Sequence, residues 1–136
     1  MDRRIEHEGL ITRLRVLVVD PYEGTRSALC SCMRELGHVP FPAQDLETAT
    51  KLQPNVDVLI VDDSPPWFNG WSWVKALGTP TPAIVLLESA GASPALSWTL
   101  VKPVSLVDLE CAIPRELARS ALASFASRSA HGLRCA

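Results

Sequence analysis

The chain has 136 residues, enough for one domain of ordinary size. Apolar residues make up 47% and charged residues 21%, which excludes a mainly disordered chain. The 13 basic and 15 acidic residues leave a net charge of −2, which argues against a nucleic-acid binder working through a broad basic surface. At this length folding hides roughly two thirds of the unfolded surface, so no metal or disulfide staple is required. No apolar run approaches the roughly 20 residues of a membrane span. The first ten residues mix both charge signs and lack a signal peptide's apolar core, so neither a membrane segment nor export is expected. Cys30, Cys32, Cys111 and Cys135 are too irregularly spaced for a disulfide framework, and a reducing cytoplasm is the expected location. The C-x-C of Cys30 and Cys32 falls in a helical stretch and reads as ordinary helix residues. His7, His38 and His131 have no zinc spacing.

In chain order, residues 15–20 (RVLVVD) predict a buried strand ending in an acid. Residues 25–36 predict a helix with Leu29, Met33 and Leu36 on one face and Gly37 as its stop. Residues 38–41 predict a weak strand whose Pro40 suits a sheet edge. A short helix over 45–52 leads to a second buried strand ending in an acid, DVLIVD at 57–62. The proline-rich loop 64–70 gives way to a helix over 70–77 that Gly78 stops. Residues 83–87 and 99–101 predict two more strands, the last ending at Lys102-Pro103. Ser105 is placed to cap a helix starting at Leu106 with Asp108 in its first turns. Pro114 begins a new helix or kinks one long helix, and Leu117, Ala121, Leu122 and Phe125 form an apolar stripe beyond it.

Strands alternating with helices imply an α/β fold with a parallel sheet covered on both faces. Such sheets carry their sites at the carboxyl ends of the strands. Asp20, Asp62, Leu87, Glu88 and Lys102 occupy those ends. Carboxylates there can hold magnesium, and an ammonium can neutralise phosphate oxygens, which makes phosphoryl chemistry the first hypothesis.

Residues 15–113 resemble the receiver domain of two-component response regulators. VLVVD at 16–20 is similar to the family's first strand, with Arg26 at the usual distance behind it. DVLIVDDSPPWFNGW at 57–71 is similar to the phosphoacceptor strand and loop, with Asp62 at the phosphorylated position, Pro66 the loop proline and Gly70 the loop glycine. Lys102-Pro103 resembles the family's lysine and its cis-peptide proline. The resemblance implies a flavodoxin-like, doubly wound, five-stranded parallel sheet in the order 2-1-3-4-5. It divides the chain into a tail or linker (1–13), a receiver-like domain (14–113) and a C-terminal helical extension (114–136). It also implies phosphotransfer from a sensor histidine kinase to Asp62, with magnesium bridging Asp20 and Asp62 and with Lys102 stabilising the transferring charge. On this reading the chain is no enzyme beyond its own aspartyl phosphorylation and dephosphorylation.

The sequence departs from that pattern at several places. The acidic pair after the first strand reads Asp20-Pro21, and proline offers no carboxylate; Glu23 and Asp63 are the substitutes to consider. The hydroxyl residue ending the fourth strand is replaced by Leu87, which cannot donate a hydrogen bond, with Ser89 two residues on. The stretch between Leu87 and Lys102 is short, so the fourth helix is expected to be shrunken or missing. The aromatic switch position falls on Thr99, beside Trp98. These changes point to a degenerate receiver that docks on a histidine kinase or another signalling protein, with impaired phosphorylation. A functional phosphoacceptor is the alternative. A small-molecule binder is disfavoured, because PYEGTR after the first strand has only one glycine. Trp67 and Trp98 are the candidate partner-binding aromatics, Trp71 reads as core, and the C-terminal stripe either packs back on its own domain or forms a dimer or kinase contact.

Overall fold

The computed structural model describes residues 13–88 and 99–135, with side chains as far as residue 123. Five strands form one parallel sheet: β1 (Arg15–Val19), β2 (Val39–Ala43), β3 (Val58–Asp63), β4 (Ala83–Leu87) and β5 (Thr99–Val101). Their order is β2-β1-β3-β4-β5, the doubly wound order expected. The helices are α1 (Glu23–Glu35), α2 (Leu46–Leu52), α3 (Gly70–Leu77) and α4 (Leu106–Cys135). The expected short fourth helix, Ser89 and Trp98 all lie outside the described residues.

Strand periodicity assigns each residue to one of two cores. Val16, Val18, Val58, Ile60, Ile84 and Leu86 face α1 and α4, where they meet Leu29, Met33, Leu109 and Ile113. Leu17, Val19, Leu59 and Val61 face the opposite side with Ala49 and Phe68, and Trp73, Val74 and Leu77 of α3 pack against them. Each fully buried Val, Leu or Ile contributes about 1.5–3 kcal/mol. β1 and β3, in the middle of the sheet, are buried on both faces and therefore read as unbroken apolar runs. β2 carries Pro40 and Pro42 and lies at the edge, where a missing donor is tolerated.

Local chemistry ends the helices where the sequence places the signals. Gly37 (φ 88°) and Gly78 (φ 60°) adopt the left-handed conformation behind α1 and α3. Asp45 Oδ1 accepts from Thr48 N at 2.7 Å and caps α2. Ser105 Oγ accepts from Asp108 N at 3.1 Å, while Asp108 Oδ2 accepts from Ser105 N at 3.0 Å, a reciprocal box that starts α4. Of the two readings of Pro114, the long helix holds: α4 runs through it for 30 residues, about 45 Å. The stripe beyond it does not pack back as a unit. Leu117 touches the core, but Ala121 and Leu122 are exposed, and the side chain of Phe125 lies outside the described residues.

Gly70 shows why the loop after β3 needs glycine. A Cβ there would come within 1.9 Å of the Asp62 carbonyl oxygen and 2.6 Å of Val61 Cγ1. The first turn of α3 is thus pressed onto the strand that carries Asp62. Gly70→Ala is expected to cost about 2–3 kcal/mol, the upper part of the range for an overpacked site, and to push α3 off β3. The midpoint of denaturant unfolding measures it.

Candidate functional site

The site forms because four strands run two residues past their core-facing positions. Asp20 follows Val16 and Val18, Asp62 follows Val58 and Ile60, Glu88 follows Ile84 and Leu86, and Lys102 follows Leu100. In a parallel sheet these steps carry all four side chains to the same rim on the same face. The sheet pairs Asp62 with Leu86 and Asp63 with Leu87 in register.

Lys102 is the hub. Its Nζ contacts Asp62 Oδ1 directly, and lies 3.9 Å from Asp20 Oδ2 and 3.6 Å from Glu88 Oε2. Asp20 and Asp62 are fully buried, while Lys102 and Glu88 sit at the mouth. Ser64 Oγ lies 2.9 Å from both Asp62 Oδ2 and Glu88 Oε2, and so bridges the two acids. Asp20 is held from its own turn: Oδ1 accepts from Tyr22 N at 2.9 Å, and Arg26 Nη1 donates to its carbonyl oxygen at 2.9 Å. The Tyr22 ring lies 5.7 Å from Lys102 Nζ, within cation–π range.

Charge and burial pull against each other here. Burial pushes the Asp20 carboxyl above its ordinary range, opposed by the Tyr22 N–H and helped by the charge of Asp62; Lys102 and Arg26 oppose it more weakly. Burial also works against the Lys102 charge. The contact with Asp62 and the fields of Asp62, Asp20 and Glu88 outweigh it, and the ammonium's pKa stands above its usual value.

The other sequence-predicted residues distribute as follows. Asp63 points to the opposite face, where its Oδ1 accepts from Trp71 N at 3.0 Å at the start of α3, so it is no substitute acid. Glu23 is exposed as the first residue of α1. Leu87 is buried one register row away from Asp62, and its carbonyl accepts from Lys102 N at 2.9 Å; Glu88, not Leu87, is the β4 residue that reaches Asp62 through Ser64. Thr99 is half-buried at the start of β5. Pro103 follows a cis peptide, as the resemblance implies. Ser64 and Phe68 exchange two backbone hydrogen bonds of 2.9 Å, closing a tight loop with Pro65, Pro66 and Trp67 at its tip. Phe68 tucks into the core, whereas Trp67 is 82% exposed. Trp71 is only half-buried, with Lys75 Nζ 5.3 Å from its ring. Among the described cysteines, Cys30 is buried, Cys32 half-buried and Cys111 exposed, all free.

The donor set fits magnesium poorly. Asp20 Oδ2 is buried with no hydrogen-bond partner, as a ligand oxygen would be, but Pro21 adds no carboxylate and Asp62 Oδ1 is taken by Lys102. Among the described residues no three acids, histidines or cysteines are disposed to hold a metal together.

Ser64 and Tyr22 were not singled out from sequence. Ser64 carried a signal: it sits two residues after Asp62, hence on the same side of the strand. The main contribution of Tyr22 is its backbone N–H, which side-chain chemistry does not reveal.

Comparison with solved structures shows what this fold is similar to. The chain is similar to the chemotaxis response regulator CheY4 of Vibrio cholerae, at 25% identity over 76% of this chain and 98% of that one, with a TM-score of 0.65. It is similar in fold to a CheY-like receiver domain from Methylobacillus flagellatus (16% identity, 78% and 99% covered, TM-score 0.68). The receiver domain of the Francisella response regulator 1452 is likewise similar (24%, 79% and 99%, TM-score 0.66). No protein-family model matches the chain, and no curated protein matches it in sequence. The chain has the five-stranded, parallel fold of CheY-like response-regulator receiver domains. Among the described residues no helix is long and apolar enough to cross a membrane.

The Asp20 shift has a definite sign. A carboxyl whose folded pKa is raised penalises the native state once ionised; the penalty is absent below the unfolded pKa, about 4, and grows as pH rises through the folded pKa. In metal-free buffer Asp20→Asn is therefore expected to raise Tm at neutral pH, with the gain disappearing below about pH 4. Thermal melts across that range test it.

Proposed function

We propose that this receiver acts in two-component signalling by docking on a sensor histidine kinase or another signalling protein, with phosphorylation of Asp62 impaired. The observation that carries the reading is the engagement of Lys102 by acids of its own chain. Asp62 and Glu88, joined through Ser64, surround the ammonium that a phosphoryl group would need. An incoming phosphoryl group meets three carboxylates and one ammonium, a net repulsive field. Pro21 removes an acid from the metal side, and Leu87 offers no hydroxyl to hold the product. The chain's cytoplasmic location and its lack of enzymatic turnover belong to the same proposal.

Docking has a candidate anchor. Trp67 stands exposed on a loop fixed by the Ser64–Phe68 bridge and two prolines, so little conformational entropy is lost when a partner covers it. A cavity of about 550 Å³ opens beside Lys102 and Glu88, with Thr25, Ala28, Leu29 and Val104 in its wall. Trp98 remains a second candidate from sequence alone.

Acetyl phosphate with magnesium tests the reading, with intact-mass detection of one added phosphoryl group. Wild-type protein is expected to stay essentially unlabelled. Pro21→Asp combined with Glu88→Ala is expected to raise labelling by at least about tenfold, since it adds a metal-side acid and frees the lysine. Rapid, stable labelling of wild-type Asp62, lost in Asp62→Asn, would instead establish the phosphoacceptor reading.

A further inference from the structure

A second cavity, of about 260 Å³, opens between α3, the loop before β4 and the middle of α4. It shares no lining residue with the cavity beside Lys102. Trp71, Lys75, Pro80, Pro82, Glu116 and Arg119 are the members of its wall that matter here. The loop side of that wall is pinned. Gln53 Nε2 donates to Thr79 Oγ1 and Thr81 Oγ1, both at 3.2 Å, and Ser120 Oγ donates to the Pro80 carbonyl at 3.1 Å. A wall held in this way has little ordering left to lose when a ligand enters. Glu116 is the unusual member, because it is a carboxylate only 2% exposed. Its Oε1 accepts from Arg119 Nε at 3.2 Å and from Arg119 Nη2 at 2.9 Å. Its Oε2 is buried and accepts no hydrogen bond; Arg115 Nε, at 3.9 Å, is too far to donate one. A buried acceptor left unmatched is costly, and a donor carried by a ligand removes that cost.

We propose that this cavity binds a guanine mononucleotide. Charge makes the first selection. Lys75, Arg115 and Arg119 surround the single carboxylate of Glu116, so a further cation is repelled and the donor that reaches Oε2 is a neutral N–H. Shape makes the second. The Trp71 indole and the rings of Pro80 and Pro82 are flat apolar surfaces, suited to a flat heterocycle. The donor pattern makes the third. Guanine presents two adjacent donors, N1–H and the 2-amino group, whereas every base-edge donor of adenine, cytosine and uracil has an acceptor beside it that a carboxylate repels. Glu116 Oε2 and the Pro80 carbonyl oxygen, which keeps a second lone pair, are the acceptors in the wall that match that pair. Lys75 is exposed and the Arg119 side chain half-exposed, so both cations stand where a 5′-phosphate leaves the cavity. The site uses none of the residues around Asp62 and stands or falls separately from the docking reading.

Titration calorimetry of the full chain with GMP is expected to show saturable one-to-one binding, at least about tenfold tighter than with AMP. Lys75→Glu changes only the mouth and is expected to weaken GMP binding by about fivefold or more with circular dichroism unchanged. Glu116→Gln is expected to abolish the preference for GMP over AMP; if that variant fails to fold, the Lys75 variant and the AMP comparison still decide. In amide NMR, GMP is expected to shift Trp71, Thr81, Glu116 and Ser120. Absence of saturable GMP binding at millimolar concentration overturns the proposal, leaving solvent as the partner of Glu116. Equal affinity for GMP and AMP also overturns it, since stacking alone then accounts for binding. So do shifts centred on Asp62 and Lys102, which would place the phosphate in the other site.

Discussion

The carboxyl edge of the sheet depends on one ammonium. Asp20 and Asp62 are fully buried, and two buried carboxylates a few ångströms apart repel each other and lose hydration. Lys102 lies against both and gives them a shared counter-charge. A buried ion pair of this kind adds little net stability over an apolar core, but removing one partner leaves charge stranded at a cost of about 3–5 kcal/mol. The position of β5 beside β4, the closure of the Ser64–Phe68 loop and the seating of Gly70 under Asp62 all serve to hold that geometry.

The same arrangement sets the character of the domain. A receiver poised for phosphotransfer needs a lysine available to the incoming group. Here Glu88 approaches that lysine from β4, and Ser64 ties Glu88 to Asp62. The acid that sequence position leads one to seek beside Asp20 is a proline; the third carboxylate in the crevice, Glu88, comes instead from the end of β4, on the other side of β3. Glu88 adds a further carboxylate to the ion pairs around Lys102.

Much of this was legible in the sequence because parallel strands buried on both faces read as apolar runs, and strand parity decides which residue after the run faces which side. Asp20, Asp62 and Lys102 could be brought together on that basis, and their order along the chain gave the resemblance. Residues that act through the backbone or through a loop were harder to see. The role of Tyr22 rests on its N–H. Glu88 could be placed at the rim, but that it couples to Asp62 depends on the Ser64 rotamer and the loop closure. The C-terminal stripe was read one helical face at a time; only the burial of Leu109, Ala112, Ile113 and Glu116 fixes which face looks outward. Asp63, adjacent to Asp62, was drawn to the other side by the single-residue flip of a strand and serves the first turn of α3.

The most direct test of the occupied-lysine account is an amide NMR titration of the wild-type domain with beryllofluoride and magnesium, following Asp62, Ser64, Glu88 and Lys102. The account predicts that these resonances stay in place, because Asp62 and Glu88 already hold the ammonium. A saturable shift centred on Asp62 and Lys102 would contradict it, by showing that the lysine exchanges its internal partners for a phosphoryl-like group.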